Sequence, residues 1–472
     1  MKTNQTQDQL PTSNFRDSLA TVDSQGKRQW IFAQQPKGRF YNIRTIVSTA
    51  CFILFLVLPF LRISGRPVLL FNIPNATFIL FGKVFWPQDF FIFGVTMLTF
   101  IVFIILFTAA FGRIFCGWVC PQTLFMEMLF RRLEYLVEGD AAAQKVLARE
   151  RWSSKWVRKK LTKHLVFFLV SFLIANVFLS YVIGTDALFA IIREPVSMHV
   201  GGLMAILAFS GIFYAVYAYF REQICTVICP YGRLQGVLLD RNSMIVAYDY
   251  KRGEKRAKFR KDPLPETGDC IDCFQCVKVC PTGIDIRNGT QMECVGCTAC
   301  IDACNAMMHA VGRMPDLIRY ASENGIAEDR PLRFSGRMKL YSVLLVVLTG
   351  LLSFLLVSRK NVDGTIVRAP GLLYQERGAD SLSNLYTVKM VNKTLADIPV
   401  TLRLEDAPGN IVNAAGEQVL VPKEGQGQAS FFVVLPNTYV HDRKVPVKVG
   451  VYSGKEKIVE LKTNFMGPFN KQ

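Results

Sequence analysis

Eight cysteines stand in two short runs that share one spacing, C-x2-C-x2-C-x3-C, and the first run is followed by Pro281. A cubic [4Fe–4S] cluster takes three thiolates from one tight loop and the fourth from the far end of the other run. The spacing therefore predicts two [4Fe–4S] clusters. The predicted ligands of the first are Cys270, Cys273, Cys276 and Cys304, and those of the second are Cys294, Cys297, Cys300 and Cys280.

Residues 262–312 resemble the bacterial two-cluster ferredoxins in this spacing. The second run departs from that family at Asn305, where a proline is usual, but its cysteines are intact. Zinc knuckles also use C-x2-C pairs, and disulfides need an oxidising compartment. Two tandem runs with crossover spacing favour iron–sulfur clusters over zinc, and the cytoplasmic location predicted below argues against disulfides.

Apolar segments long enough to cross a bilayer make this a membrane protein, with 51% hydrophobic residues among 472. Five spans are predicted, each close to the roughly 20 residues that a bilayer requires. They cover about residues 46–61 (with a start extended to 41), 89–111, 165–183, 201–220 and 340–357. Residues 62–88 contain several prolines and are predicted to form an interfacial or re-entrant loop.

The net charge of +18 would suggest nucleic-acid binding in a soluble protein, but here the surplus lies in loops beside apolar spans. Loops 112–164 and 221–338 are rich in Lys and Arg, whereas 62–88 and 184–200 are not. The positive-inside rule then puts the N-terminus and the ferredoxin segment in the cytoplasm, where thiols stay reduced. Residues 1–40 are polar, and they are predicted to be a mobile cytoplasmic tail without a cleavable signal peptide.

Residues 359–472 have a different pattern, in which apolar and polar residues mostly alternate in short runs bounded by turn signals. The runs cover residues 385–391, 399–404, 429–435 and 445–451. They predict an immunoglobulin-like sandwich on the far side of the fifth span, without a disulfide because this part has no cysteine.

The predicted fold class is therefore a multi-domain membrane protein: an α-helical transmembrane bundle, a two-cluster ferredoxin-like insert and an all-β immunoglobulin-like sandwich. Its predicted divisions are the tail, a four-span region at 41–230, a ferredoxin-like region at 231–338, the fifth span at 339–358 and the sandwich at 359–472.

Four more cysteines form a repeated motif, C-x3-C-P, at the ends of the second and fourth spans. They are Cys116, Cys120, Cys225 and Cys229. Spacing i, i+4 puts both sulfurs of a pair on one helix face, and soft thiolates suit Cu(I), zinc or an iron–sulfur cluster. Three interpretations stay open: a copper site, a further cluster, or unliganded buried thiols. Arg113 and Arg221, beside the motifs, are predicted to be membrane-edge anchors, and the isolated Cys51 has no predicted role.

Taken together, these features resemble the CcoG/FixG family of accessory proteins for assembly of cbb3-type cytochrome c oxidase, over about residues 25–472. The resemblance implies a bacterial inner-membrane protein that reduces Cu(II) to Cu(I). The ferredoxin cysteines would carry single electrons, and Cys116, Cys120, Cys225 and Cys229 would be the catalytic thiols, binding copper or a further cluster.

The resemblance also implies partners, namely the oxidase assembly machinery and copper chaperones or transporters, and a homo-oligomer is compatible with it. Two alternatives remain. The chain could conduct electrons between the quinone pool and another redox partner without a copper step. It could also be a redox-sensing scaffold whose sandwich docks the oxidase.

Overall fold

The computed structural model describes residues 20–22, 25, 27–63, 65–73, 77–85, 90–150, 152–260, 266–329, 335–358, 362–371, 373–378, 380–394, 396–413, 419–423 and 425–468. The chain forms two compact units. One contains residues up to 351 apart from 83–89, and the other contains 83–89 and the residues from 352 onward.

The helices of the first unit follow one another from the first span to the fifth. In chain order they are α1 (Arg39–Val57), α2 (Phe90–Phe111), α3 (Ile114–Trp118), α4 (Pro121–Thr123), α5 (Arg131–Glu138), α6 (Ala141–Arg149), α7 (Ser154–Ile183), α8 (Thr185–Arg193), α9 (Val200–Ala215), α10 (Pro230–Leu238), α11 (Tyr250–Gly253), α12 (Gln275–Lys278), α13 (Ala299–Ala310), α14 (Glu323–Glu328) and α15 (Gly336–Val357). π-Helical turns cover Leu124–Phe130, Val216–Phe220 and Ile224–Ile228.

Five helices of the described part are long and apolar enough to cross a membrane, which confirms the five predicted spans. They are α1, α2, α7, α9 with its π-helical continuation, and α15. The largest difference is at α7, which begins at Ser154 because Ser153 caps it: the Ser153 Oγ accepts a hydrogen bond from the Trp156 amide at 3.1 Å. The basic residues from Lys155 to Lys163 are therefore part of the same helix as the third span.

The segment between α1 and α2 is built of short strands in its described part. They are β1 (Arg62–Ile63), β2 (Arg66–Pro67), β3 (Leu69–Asn72), β4 (Thr77–Leu80) and β5 (Lys83–Phe85). β1 pairs with β2 and β3 with β4, both antiparallel, so this segment adds no membrane span.

The ferredoxin-like region has a small core of its own around α12, α13 and the antiparallel pair β6 (Ile245–Tyr248) and β7 (Ile318–Ala321). Ile271, Ile301, Met308 and Ile318 are buried there among the cysteines. These apolar side chains fix the positions of the two cysteine loops relative to each other.

Residues 27–40 differ from the predicted mobile tail, whereas residues 1–19 lie outside the described part. The Gln34 amide donates to the Lys278 carbonyl at 2.8 Å, and the Tyr135 hydroxyl donates to the Ala33 carbonyl at 3.0 Å. Asp302 accepts from the amides of Phe40 and Tyr41 at 3.1 and 2.7 Å and so caps α1. Sequence composition missed this packing because most of the contacts use backbone groups.

The second unit is a sandwich of antiparallel strands. Its strands are β8 (Val362–Arg368), β9 (Gln375–Glu376), β10 (Ser381–Asn392), β11 (Ile398–Leu404), β12 (Asn410–Asn413), β13 (Val419–Val421), β14 (Gln426–Pro436), β15 (Lys444–Ser453) and β16 (Glu456–Met466). Among the described residues, one sheet has the order β12-β14-β10-β8 with β9 beside β10, and the other has the order β13-β11-β15-β16.

The core of the sandwich lies between its two sheets and follows from the period-two pattern. Tyr386 and Phe431 stack at 5.8 Å between ring centroids, and both are fully buried with Val449 and Phe465. All four predicted apolar runs lie in strands: β10, β11, β14 and β15.

Candidate metal centre

The two ferredoxin loops have the same unusual backbone at equivalent positions. In each loop the residues just before and just after the second cysteine are left-handed: Asp272 (φ 53°) and Phe274 (φ 58°) in the first, Gly296 (φ 68°) and Thr298 (φ 64°) in the second. A non-glycine residue in this region costs of the order of 1 kcal/mol or more, so such residues cluster where function requires a fixed loop shape. The shared conformation indicates that the two loops are built to wrap the same kind of group.

The first group of thiols draws on both runs. Cys304 lies within electrostatic reach of Cys270 and Cys273, and Cys276 within reach of Cys304 and Cys273. Burial raises the pKa of Cys304 to about 12, so the bare thiol is protonated at neutral pH. The last cysteine of the second run thus joins the first three cysteines of the first run.

The second group of thiols has the converse composition, with three cysteines from the second run and one from the first. Cys297 and Cys300 are within electrostatic reach of Cys280 and Cys294, so the last cysteine of the first run joins the first three of the second. A small cavity is lined by these thiols and by Cys276 of the first group. Both fourfold sets that the spacing predicts are therefore brought together.

The arrangement fits cubic clusters better than zinc knuckles. A cubic cluster takes three thiolates from one loop and the fourth from the far end of the other run, and both thiol groups have this crossed composition. Two thiol groups, a cavity and repeated left-handed loops thus fit a pair of [4Fe–4S] clusters.

Arg287 supports the first loop, although its position in the sequence gave no sign of this role. Its guanidinium donates to Asp272, and to Asp285 at 2.6 Å, and lies 4.1 Å from the centre of the Phe274 ring. Arg287 is only 6% exposed, so its charge is offset by the two carboxylates and the ring. It contacts both left-handed residues of the first loop and helps to fix their shape.

The four thiols of the C-x3-C-P motifs also lie near one another. Cys225 is within electrostatic reach of Cys116, Cys120 and Cys229, and burial raises its pKa to about 12. The Cys116 thiol contacts the amide of the fully buried Gln235, whose Nε2 lies 3.3 Å from the sulfur. The two repeated hairpins therefore bring their cysteine pairs to one place.

This thiol group lies directly against the second ferredoxin loop. Gly117, between Cys116 and Cys120, packs on Gly296 so closely that an added Cβ would stand 2.5 Å from the Gly296 carbonyl oxygen. Arg113 strengthens the contact, donating to the carbonyl oxygens of Cys294 at 3.3 Å and Gly232 at 2.9 Å. Backbone contact without intervening side chains keeps the two sulfur groups close.

Aromatic residues make a second bridge between the same two regions. Trp118, inside the first C-x3-C-P motif, donates from its Nε1 to the Tyr320 hydroxyl at 3.0 Å. Tyr320 is within electrostatic reach of Cys294, Cys297 and Cys300. Phe40 packs edge-on against both rings, at 6.5 and 6.2 Å between centroids.

Replacing Gly117 by alanine is expected to lower the free energy of unfolding by about 1–3 kcal/mol, because the new methyl group meets rigid backbone. The measurement is the thermal unfolding midpoint of the protein in detergent, followed by the fluorescence of its tryptophans. Gly211→Ala is the matched control, since Gly211 lies in α9 with no heavy atom within 4 Å of an added Cβ. An unchanged midpoint for Gly117→Ala would contradict the close contact.

A buried ion network fixes the end of the fourth span, just before Cys225. Glu134 accepts from Arg221 at 2.5 Å and pairs with Lys163 at 3.3 Å, and all three side chains are at most 5% exposed. Arg221 has a left-handed backbone (φ 49°). Arg221 directly follows the fourth span, where it was predicted to be an inner-edge anchor, and its side chain is buried against the Glu134 carboxylate on α5.

Family models match most of the chain. The model described as "4Fe-4S dicluster domain" matches residues 220–323, and "4Fe-4S binding domain" matches residues 93–164. The model described as "IG-like fold at C-terminal of FixG" matches residues 352–468. These matches support two iron–sulfur regions, and they confirm the predicted immunoglobulin-like sandwich.

Curated relatives match along almost their whole length. "Nitrogen fixation protein FixG" of Rhizobium meliloti is 29% identical, covering 93% of this chain and 89% of FixG. "Protein RdxA" of Cereibacter sphaeroides is 32% identical, covering 86% of this chain and 89% of RdxA. "Protein RdxB" of the same organism is 31% identical, covering 84% and 88%. The chain therefore belongs to the FixG/CcoG family, as a membrane iron–sulfur electron-transfer protein of the FixG and RdxA type.

Proposed function

We propose that this protein reduces Cu(II) to Cu(I) for the assembly of cbb3-type cytochrome c oxidase. The observation that carries the proposal is the meeting of two soft-ligand groups: the C-x3-C-P thiols lie beside the second ferredoxin loop, joined by the contact of Gly117 with Gly296. Thiolates stabilise Cu(I) relative to Cu(II), so copper that binds there accepts an electron more readily.

The ferredoxin cysteines are proposed to hold two [4Fe–4S] clusters, one for each of the two groups. When bound, such clusters supply one-electron transfer at potentials set by hydrogen bonds and burial. The protein's own residues hold the two cysteine loops in position. Arg287 fixes the first loop, and Arg113 fixes the second loop against the C-x3-C-P thiols. Copper is the substrate in this proposal and binds at Cys116, Cys120, Cys225 and Cys229.

The orientation proposed from the basic loops puts the N-terminus and ferredoxin region in the bacterial cytoplasm and the sandwich in the periplasm. The sandwich would then be the part that meets the oxidase assembly machinery, while copper chaperones or transporters supply or receive the metal. The resemblance of the whole chain to the CcoG/FixG family supports these partners.

The copper step is tested with anaerobically purified protein whose clusters have been reduced with dithionite and freed of excess reductant. Cu(II) is added with a chromogenic Cu(I) chelator. We expect the double variant Cys116→Ser/Cys225→Ser to reduce copper at least about tenfold more slowly, which corresponds to about 1.4 kcal/mol in the barrier. The EPR signal of the reduced clusters should persist.

Cys51→Ser is the matched control, because Cys51 lies within α1 and belongs to neither thiol group. Its copper reduction should equal that of the wild type. If the double variant reduces copper at the wild-type rate while its clusters are intact, the C-x3-C-P thiols are not the site.

A second candidate for these four thiols is a further iron–sulfur cluster. It is favoured by the 4Fe-4S model that matches residues 93–164, because this range contains Cys116 and Cys120. Iron and sulfide analysis separates the two: two cubic clusters give about eight iron atoms per chain and three give about twelve. The proposed copper site predicts the lower count, unchanged by Cys116→Ser/Cys225→Ser.

A further inference from the structure

A cavity of about 270 Å³, open to solvent on one side, lies beside the loop that carries Cys294 and Gly296. Arg113 and Ile114, which follow the spanning helix α2, form one wall, and Leu239, which follows α10, forms another. Because α2 is one of the five candidate spans, the cavity lies at the edge of the membrane.

The walls of the cavity are mostly apolar. Leu239, Met244, Ile245 and Ile286 contribute aliphatic or thioether surface. Pockets of several hundred cubic ångströms with apolar walls and a few fixed polar groups are typical of sites for ring-bearing small molecules. The size and lining therefore suit a flat, neutral ring with an apolar tail.

Polar groups are concentrated near the Cys294 loop. The guanidinium of Arg113 is held by the carbonyls of Met292, Cys294 and Gly232, and its five N–H groups leave donors beyond these three bonds. Glu293 and Tyr320, which carry a carboxyl and a hydroxyl group, are also among its lining residues. A ligand with oxygen atoms on its ring would find both donors and acceptors there.

The charges of the cavity argue against a nucleotide or flavin phosphate. Among its described lining residues, Arg113 is the one cation, and Glu293 is an acid beside the same loop. Phosphate sites combine several cations or helix N-termini and avoid carboxylates. A neutral ring with carbonyl oxygens meets no such conflict.

We propose that this cavity binds the head group of a lipid-soluble quinone, with the ring between Met244 and Ile286 and a carbonyl oxygen towards Arg113. This site is separate from the copper step and does not depend on it. It gives the protein a contact with a membrane-borne molecule next to the second group of ferredoxin thiols.

The test uses the full chain in lipid nanodiscs with a tritiated azido-quinone as photolabel, mapped by peptide mass spectrometry. We expect label on residues 239–246 or 286–296, displaced by decylubiquinone and not by dioctanoylglycerol. Met244→Trp fills the cavity and should lower labelling by about tenfold, as expected for lost access to a pocket.

Val237→Trp is the matched control, since Val237 lies on α10 with 79% of its surface exposed and does not line the cavity. It should label like the wild type. Leu239→Trp is the second filling variant, and the EPR signal of the reduced clusters reports whether each variant is folded.

Label elsewhere in the chain, or equal labelling in two folded filling variants, would overturn the proposal. Equal displacement by dioctanoylglycerol would assign the cavity to a lipid chain and also overturn it. Copper reduction is measured on the same preparations, so a failed quinone site with normal copper reduction leaves the proposed function standing.

Discussion

Replacing Cys280 by alanine is expected to remove the cluster bound by Cys294, Cys297 and Cys300, although Cys280 belongs to the first cysteine run. Cys280 stands at the end of the first run but is within electrostatic reach of Cys297 and Cys300, while Cys304 completes the first group. We expect Cys280→Ala to lower the iron content from about eight to about four atoms per chain, because a cubic cluster holds four. EPR of the reduced variant should change from two interacting centres to one isolated centre.

The reciprocal variant makes this result specific. Cys304→Ala should lose the same amount of iron but retain the cluster at Cys294, Cys297 and Cys300. The EPR signal that remains in Cys304→Ala should therefore differ from the one that remains in Cys280→Ala. Cys51→Ser controls for loss of any cysteine. If each run instead held its own cluster, the double variant Cys280→Ala/Cys294→Ala would lose both clusters, whereas the crossed arrangement predicts that it keeps one.

Replacing Glu134 by glutamine is expected to lower the free energy of unfolding by about 3–5 kcal/mol. The change leaves Arg221 as a buried cation without its carboxylate partner, whereas Lys163 keeps its ion pair with Glu138 at 2.9 Å, and an unpaired buried charge has a cost of that order. Because Arg221 lies four residues before Cys225, copper reduction should fall as well. The measurement is the thermal unfolding midpoint in detergent, with Glu150→Gln on the surface as the control.

The stabilisation that the Glu134 carboxylate provides is expected to depend on pH. Burial alone would raise the pKa of Glu134, but the charges of Arg221 and Lys163 outweigh it and lower the pKa from 4.5 to about 2. The folded pKa is below the unfolded one, so this stabilisation is complete above about pH 4.5 and is lost as the pH falls towards 2. The difference in midpoint between wild type and Glu134→Gln should therefore shrink on acidification. A constant difference down to about pH 3 would contradict the ion pair.

Local patterns predicted the features that depend on neighbours in sequence. Hydropathy gave the five spans, alternation gave β10, β11, β14 and β15, and cysteine spacing gave fourfold thiol sets that the structure brings together. Each of these signals is short-range: a span needs about 20 apolar residues, and a strand needs a period of two.

Long-range contacts were not predictable in the same way. The buried partner of Arg221 was not predicted, because Glu134 lies 87 positions earlier in the chain. The sequence held a partial signal, since Glu134 and Glu138 are acids within the basic segment 122–164. The contact of Gly117 with Gly296 left no such signal, because a glycine in the sequence does not indicate which residue it packs against.

The cap on α1 has a consequence for the order of biosynthesis. α1 is translated before the other four candidate spans, yet the carboxylate that accepts from the Phe40 amide lies 262 positions later, at Asp302. Asp302 sits on α13 between two thiols of different groups, Cys300 and Cys304. Translocation of the first span can thus precede synthesis of the ferredoxin region, but the start of that span is completed only after α13 has been translated and folded.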